Sequence, residues 1–323
     1  MKNNSSGSYF HLALFTDMGS LKYLYFSLCL LIYLIITCAN VVIILTVVLE
    51  RSLHQPMYVF ICCLSLNSLR GSAGFFPRFL ADLLSDTHFI SRSSCFIQVF
   101  VLYTYATCEM AILSIMAYDR FVAICQPLHY GSRMTFRMVL NLIVLAELYP
   151  SFICICCLSL TVRLPLCGIK LQRFFCTNWP LVQLSCVDTS VNNIAGLLAT
   201  VATIFIPLLF VLYTYLRILL VSRRSLHEQK GKVLQTCMPH IVTCVNYSVS
   251  LAGEILLNRL REDQINPLIN VFLSLGFLTI PPIVNPLVYG LKLPQIRVVV
   301  FRYFHRALKR SSKADMLFTW YVQ

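Results

Sequence analysis

Seven long apolar segments dominate the chain and restrict what it can fold into. An α-helix needs roughly 20 apolar residues to cross a bilayer, and no residue between Lys22 and Glu50 is charged. Continuous apolar runs predict helices and not a β-barrel, whose strands alternate in polarity. The segments are 22–50, 57–84, 95–117, 137–163, 188–217, 232–254 and 263–292. We therefore predict an all-α membrane protein, a seven-transmembrane helix bundle.

The composition excludes several other classes. Of 323 residues, 58% are apolar and 12% are charged, whereas soluble domains are about 25% charged. The net charge of +13 could suggest nucleic acid, but the basic residues lie between apolar runs, as in membrane proteins. Most of the 15 cysteines lie inside those runs and are expected to act as small hydrophobes. We predict no nucleic-acid partner, no metal, no cofactor and no enzymatic activity.

Basic residues predict the orientation. Residues 1–20 are expected to form a tail without a cleaved signal peptide, and Asn3 and Asn4 begin glycosylation sequons that fit an extracellular N-terminus. With the N-terminus outside, most of the 26 Lys and Arg residues face the cytosol, as the positive-inside rule requires. This predicts a multi-pass plasma-membrane protein with a cytoplasmic C-terminus.

Three regions are expected along the chain. Residues 1–20 form the extracellular tail, residues 21–291 form the seven-transmembrane domain, and residues 292–323 form a cytoplasmic segment. In that last segment, basic residues alternate with apolar residues from 292 to 310. This pattern predicts a short amphipathic helix on the inner leaflet of the lipid bilayer.

Asp119 and Arg120 stand side by side where the third helix should meet the cytosol. Charges at that depth are costly and are usually functional. An interfacial anchor pair is the alternative, because basic side chains at helix ends extend towards water.

The residues around this pair resemble a known family. Residues 116–130, MAYDRFVAICQPLHY, are similar to the signature of odorant receptors, which are rhodopsin-like G-protein-coupled receptors, although Phe121 and Gln126 depart from it. Three further blocks stand in the family's order within 40–291: PMYVF at 56–60, KVLQTCMPH at 232–240 and PPIVNPLVY at 281–289. The residues at 56–60 and 232–240 resemble the corresponding sequences of fish-type odorant receptors.

The resemblance implies a function. A receptor of this kind binds a small-molecule odorant inside the helix bundle. It then activates a heterotrimeric G protein with a stimulatory, olfactory-type α subunit, which raises cyclic AMP. A non-olfactory rhodopsin-like receptor for a small ligand is the alternative within the class. A small-solute transporter is the alternative outside it, although the two halves of the chain show no repeat.

The resemblance also implies site residues. The cavity should lie among the outer halves of helices 3, 5, 6 and 7, although packing alone is the alternative for some positions. The membrane-embedded region around the predicted cavity has no cluster of acidic and basic residues that would indicate an amine or a carboxylate as the ligand. Ligand-binding positions are Tyr103, Ala106, Thr107, Ala199, Thr203, Ser248, Leu251, Ile255, Leu275 and Leu278. G-protein coupling and activation positions are Asp119, Arg120, Tyr215, His240, Asn285, Pro286 and Tyr289. A lone helical histidine such as His240 is more often a packing or hydrogen-bonding residue.

Four cysteines lie on the predicted outer side. An even number in an oxidising compartment predicts disulfides, and four cysteines allow three connectivities. The resemblance implies the pairs Cys95–Cys176 and Cys167–Cys186.

The polar core departs from the wider superfamily. Ser68 stands where many rhodopsin-like receptors have a sodium-binding aspartate, so Glu109 is the single carboxylate of a possible ion site. The alternative is a protonated Glu109 that forms a hydrogen bond with Ser68 or Asn285. Asn40 is expected to form hydrogen bonds across helices 1, 2 and 7.

Two further charges are unusual for the family. Glu147 replaces a tryptophan of helix 4, and Arg70 lies in helix 2, where an unpaired charge is costly. Arg70 is seven residues after Cys63, hence on the same helix face, and the family's tryptophan packs near Cys63. We hypothesise that Arg70 pairs with Glu147; otherwise this chain would fold poorly.

Overall fold

The structure is a computed structural model that describes residues 9–15, 21–223, 227–259 and 267–303, with the backbone alone at 227–236, 258–259 and 267–272. The glycosylation sequons and the tail after residue 303 lie outside the described residues. Within the described residues, seven helices are long and apolar enough to cross a membrane, which confirms the predicted bundle. They are α1 (Leu21–Leu49), α2 (Pro56–Leu84), α3 (Arg92–Cys125), α4 (Phe136–Val162), α5 (Ser190–Arg223), α6 (His227–Arg259) and α7 (Pro267–Lys292).

Local sequence signals explain several helix ends. The Ser91 hydroxyl caps α3 by accepting a hydrogen bond from the backbone N–H of Ser94 at 3.2 Å. Thr135 caps α4 in the same way, and α2 begins at Pro56, whose missing N–H is harmless at the first helical position. At its other end, α3 continues to Cys125, two residues before Pro127. Asp119 and Arg120 are therefore helical.

The helix α3 is the central element of the bundle. In its most apolar 18-residue window, 72% of the residues are buried, compared with 17% for α1 and α4 and 11% for α5. The peripheral helices therefore present most of their apolar side chains outward, as lipid contact requires. The helix α5 contains a π-helical turn, Val201–Phe205, just before Pro207, whose nitrogen donates no hydrogen bond.

A small sheet covers one end of the bundle. Strand β1 (Tyr9–Leu12) pairs antiparallel with β2 (Phe89–Ser91) and parallel with β3 (Lys170–Leu171), in the order β2-β1-β3. Phe10 is fully buried, and Phe15 lies against Phe174 at a centroid distance of 5.3 Å. We call this sheet and the chain between α4 and α5 the lid, and we call the two ends of the bundle the lid end and the Arg120 end.

Two disulfides hold the lid. Cys95 at the start of α3 is bonded to Cys176, and Cys167 is bonded to Cys186. These are the pairs that the family resemblance implies. The segment before α1 differs from expectation, because residues 9–12 form a strand and not a plain tail. Its partners lie between 78 and 159 positions further along the chain, so the local pattern of polar and apolar residues does not predict this pairing.

Short helical turns complete the described chain. They are Arg51–Leu53, Pro127–His129, Tyr130–Arg133 and Asn178–Gln183. Residues 294–303 form a further helix after α7. Its Ile296 and Val299 are buried, whereas Val298 and Phe301 are exposed. The apolar residues of this helix therefore lie on two faces, one packed against the bundle and one exposed.

Candidate ligand cavity and the polar core below it

A cavity lies below the lid, between α3, α4, α5 and α6. The space between its lining atoms is about 1170 Å³, including the part open to solvent. Most of the lining is apolar, with a minority of polar side chains, which is the usual make-up of a small-molecule site.

The structure brings together most of the positions named from the family resemblance. Tyr103, Ala106, Thr107, Ala199, Thr203, Leu251 and Ile255 all line the cavity. Ser248, Leu275 and Leu278 do not line it. Ligand contact stays a prediction for all ten positions.

The cavity lies closer to α4 than the resemblance implies. Among the described residues of α7, Phe277 alone lines it. The ring of Phe277 packs against Tyr105 and Tyr247 at centroid distances of 5.7 and 6.3 Å, which closes the side towards α7. Cys154 and Cys157 of α4 form part of the opposite wall. Both lie in an apolar run, where cysteines are expected to act as small hydrophobes, and no sequence signal distinguishes these two from the others.

The lid segment after Cys176 forms the roof of the cavity. Its Thr177, Asn178 and Trp179 line the space. The backbone N–H of Cys176 donates to Gln98 Oε1 at 3.0 Å, and the N–H of Asn178 donates to the Tyr103 hydroxyl at 3.3 Å. The lid and α3 are therefore joined by a disulfide and two hydrogen bonds.

An ion pair stands at the upper edge of the cavity. Arg173 of the lid lies 3.8 Å from Glu254 of α6, measured from Nη1 to Oε1, and 2% of the arginine side chain is exposed. The same Nη1 donates to Ser274 of α7 at 3.4 Å. Residues 81 positions apart in the chain meet only because the lid folds back over α6.

Below the cavity, Glu109 joins three helices. Its two carboxylate oxygens accept hydrogen bonds from the side-chain amides of Asn67 in α2 and Asn285 in α7, each at 2.6 Å. The Asn67 amide also donates to the backbone oxygen of Tyr105 at 3.0 Å. Ser68, the other partner considered for Glu109, has a buried hydroxyl with no hydrogen-bond partner in the described part of the chain. Of the two partners considered, Ser68 or Asn285, it is Asn285 that binds Glu109.

The hypothesised pair of charges is present. Arg70 Nη1 of α2 lies 2.7 Å from Glu147 Oε2 of α4. The other terminal nitrogen of Arg70 donates to Asn67 Oδ1. Contacts therefore continue from α4 through α2 to Glu109 of α3 and Asn285 of α7.

Asn40 links α1 to α7. Its side-chain amide donates to the backbone oxygens of Ile36 at 2.8 Å and Pro282 at 2.9 Å. Proline residues inside α7 leave backbone oxygens without their usual helical donor, and Asn40 supplies one. Among the described residues, the structure records no hydrogen bond from Asn40 to α2, so the expected link across three helices joins two.

At the Arg120 end, Asp119 is fully buried and binds two neighbours. Arg120 Nε donates to Asp119 Oδ2 at 2.9 Å, and the Tyr130 hydroxyl donates to Oδ1 at 2.8 Å. Tyr130 lies after α3 in a short helical turn. Burial, and then the nearby Asp119 carboxylate, raise the pKa of Tyr130, so its hydroxyl remains a donor at neutral pH. Tyr130 ends the family block at 116–130, and no local sequence signal indicates this contact with Asp119.

One face of α6 forms hydrogen bonds with three other helices. His240 contacts the Tyr215 hydroxyl of α5, and Thr243 lies 2.8 Å from the Tyr289 hydroxyl of α7. The Tyr247 hydroxyl donates to the backbone oxygen of Ala106 in α3. The spacing of three and four residues places the α6 side chains on one helix face. Tyr215 and Tyr289 therefore bind α6 in this state.

Comparison with known proteins agrees with this architecture. The sequence profile of the family described as "Olfactory receptor" matches residues 28–307. Human Olfactory receptor 51L1 is 35% identical over 85% of this chain and 87% of its own length. Human Olfactory receptor 51E1 is 32% identical over 96% of this chain and 97% of its own length. The structure of squid rhodopsin matches with a TM-score of 0.74 at 16% identity, over 92% of this chain and 89% of that chain.

Proposed function

Because this chain belongs to the olfactory receptor family, we propose that it binds an odorant in the cavity below the lid and activates a stimulatory, olfactory-type G protein. Cyclic AMP is the expected product of that signal. Family membership and fold make the protein a multi-pass plasma-membrane receptor for a small molecule that couples to a G protein, and not an enzyme. The ligand, the G-protein type and the second messenger are the proposed part.

The observation that best supports the proposal is that α3 and α6 both run from the cavity to the Arg120 end. Ala106 and Leu251 line the cavity on α3 and α6. Lower on the same helices lie Arg120 and His240. A ligand that favours a different spacing of α3 and α6 at the cavity therefore acts on both ends, since both belong to continuous helices.

The hydrogen bonds of α6 define the resting state in this proposal. Outward movement of α6 must break its contacts with Tyr215, Tyr289 and the backbone of Ala106. Arg120 must also leave its contact with Asp119 and bind the C-terminal helix of the G protein. An agonist shifts this equilibrium only by the difference between its affinities for the two states.

The proposed orientation places the lid outside the cell and the Arg120 end in the cytosol. The sequons at Asn3 and Asn4 are then available for glycosylation, with residues 1–20 as the outer tail and residues 292–323 as the inner segment. Glycosidase treatment should increase the mobility of the intact chain on a gel. It should not change a chain with Asn3→Gln and Asn4→Gln.

A cyclic-AMP reporter in cells that express the receptor tests the proposal against odorant panels. Arg120→Ala should abolish any response while surface staining persists. Arg133→Ala is the matched control, because Arg133 is exposed near the same end and contacts no acid among the described residues. A response that survives Arg120→Ala at wild-type strength would contradict the mechanism. Responses without cyclic AMP would contradict the assigned G protein.

A further inference from the structure

Two uncharged polar atoms of the cavity wall have no hydrogen-bond partner in the described part of the chain. They are the hydroxyl oxygen of Thr177 in the lid and the side-chain nitrogen of Asn192 in the first turn of α5. Both atoms are buried, and the whole Thr177 residue is 3% exposed. Buried polar atoms are almost always hydrogen-bonded, so a pair of exceptions in one cavity requires an explanation.

Other polar side chains of the same cavity have partners. The hydroxyls of Thr107, Thr200 and Thr203 each donate to the backbone oxygen four residues earlier, at 2.8 Å. Tyr103 accepts from the N–H of Asn178, and Glu254 pairs with Arg173. Hydrogen-bonding capacity is therefore left for a ligand at Thr177 and Asn192.

The surroundings of Thr177 hold it in place before any ligand binds. The preceding residue, Cys176, is fixed by its disulfide to Cys95 and by its N–H bond to Gln98. The following residue, Asn178, accepts a hydrogen bond from Thr161 at 2.8 Å. A preorganised group loses little conformational entropy when it binds a ligand.

The chemistry of the two atoms indicates the ligand. An amide nitrogen only donates, so Asn192 requires an acceptor, and the Thr177 hydroxyl can donate as well. An alkylammonium ion has no acceptor and cannot satisfy the side-chain nitrogen of Asn192. A carboxylate can, but it must enter a cavity whose charges, Arg173 and Glu254, already balance. Desolvating an ion without a counter-charge is far more costly than desolvating a neutral oxygen.

We infer that Thr177 and Asn192 form the polar recognition subsite of this receptor and that its ligand is a neutral, oxygen-bearing odorant: an aldehyde, ketone, ester or alcohol with an apolar body. This inference rests on the proposed function. The ligand's oxygen accepts from Asn192 and Thr177, and its carbon skeleton occupies the apolar remainder of the cavity towards Leu251 and Phe277.

The test uses sets of compounds that share one skeleton and differ in the functional group. Each set contains the hydrocarbon, aldehyde, alcohol, carboxylate and amine on linear, cyclic and aromatic skeletons. Receptor activation in intact cells is read as G-protein dissociation for the full chain and for Thr177→Val, Asn192→Leu and Thr200→Val. The last is the matched control, because Thr200 lines the cavity but its hydroxyl is already bonded to Gly196.

The neutral oxygenated member should be the strongest agonist on any skeleton that activates. Thr177→Val and Asn192→Leu should each raise its half-maximal concentration about tenfold, the effect of losing one hydrogen bond to a buried group. Thr200→Val should leave it within about twofold. Thr177→Ser, which keeps the hydroxyl, should restore the response, and Asn192→Asp, which keeps the size, should not.

Each contrary result has a separate meaning. A carboxylate, an amine or a bare hydrocarbon as the strongest agonist would overturn the subsite and leave the proposed function standing. Unchanged concentration dependence in both Thr177→Val and Asn192→Leu would overturn it as well. A surface-stained receptor that responds to no compound on any skeleton would overturn the proposed function itself.

Discussion

Arg70 and Glu147 form an ion pair between α2 and α4, with 2.7 Å between Nη1 and Oε2. About a third of each side chain is exposed on the outside of the bundle, where lipid and not water surrounds the protein. Arg70 also binds Asn67, which binds Glu109. The pair therefore holds a peripheral helix to the polar core and is more than a contact between two surface charges.

Reversing either charge alone should reduce the amount of receptor at the cell surface. Arg70→Glu places two acids together, and Glu147→Arg places two bases together. Breaking a buried ion pair costs about 3–5 kcal/mol, and exposure does not lower the cost here, because the exposed parts of both side chains meet lipid and not water. The double reversal should restore surface staining, measured on unpermeabilised cells.

Arg163→Glu is the control for this experiment, because Arg163 is exposed at the end of α4. Its reversal should leave surface staining unchanged. No rescue in the double reversal would show that the pair does not determine folding.

Tyr247→Phe should raise the basal activity of the receptor. The substitution removes the hydrogen bond from α6 to the backbone of Ala106 and keeps the ring that packs against Phe277. One hydrogen bond contributes about 1 kcal/mol, which corresponds to a shift of about fivefold in the equilibrium between the states. Ligand-free cyclic AMP, normalised to surface staining, measures the effect.

Tyr105→Phe is the matched control. Tyr105 packs against the same Phe277, but its buried hydroxyl has no hydrogen-bond partner in the described part of the chain. Its removal should leave basal activity unchanged. Equal increases in both variants would contradict a specific role for the Tyr247 hydroxyl.

Tyr130→Phe should also raise basal activity, through the other end of α3. The Tyr130 hydroxyl holds one oxygen of Asp119 while Arg120 binds the other. Without this hydrogen bond, Asp119 is held less firmly and orients Arg120 less strongly. Release of Arg120 from Asp119, which G-protein binding requires in the proposed mechanism, then costs about 1 kcal/mol less. Concentration–response curves should show a higher baseline and a lower half-maximal concentration. A lower baseline would contradict the assigned role.

Much of the fold could be predicted from the sequence because a bilayer permits few solutions. Long apolar runs with few charges must be helices, and their number follows from counting. The pairing of Arg70 with Glu147 was predictable for a related reason. A charge in a transmembrane helix requires a partner, and the chain offers few partners on the correct face.

The lid and the cavity wall could not be predicted in this way. Tyr9–Leu12 reads as a tail because its partners lie far along the chain. Arg173 and Glu254 read as separate loop charges, and they meet only in three dimensions. The family resemblance transferred positions on α7 into the wall, but Phe277 fills that side in this chain. The packing of Phe277 against Tyr105 and Tyr247 joins three helices and cannot be read from a local sequence pattern.

Gly71→Ala should destabilise the bundle where α2 crosses α3. A Cβ atom at Gly71 would lie 2.5 Å from Cγ of the Tyr105 ring, closer than real contacts allow. Tyr105 is fully buried against Phe277 and has little space to move. Overpacking of this kind costs about 1–3 kcal/mol.

The Gly71→Ala variant should show less surface receptor and a lower thermal denaturation midpoint in detergent. Gly131→Ala, where a Cβ meets nothing within 4 Å, should match the wild type, and an equal loss in both variants would show that the close approach of Gly71 to Tyr105 is not the cause.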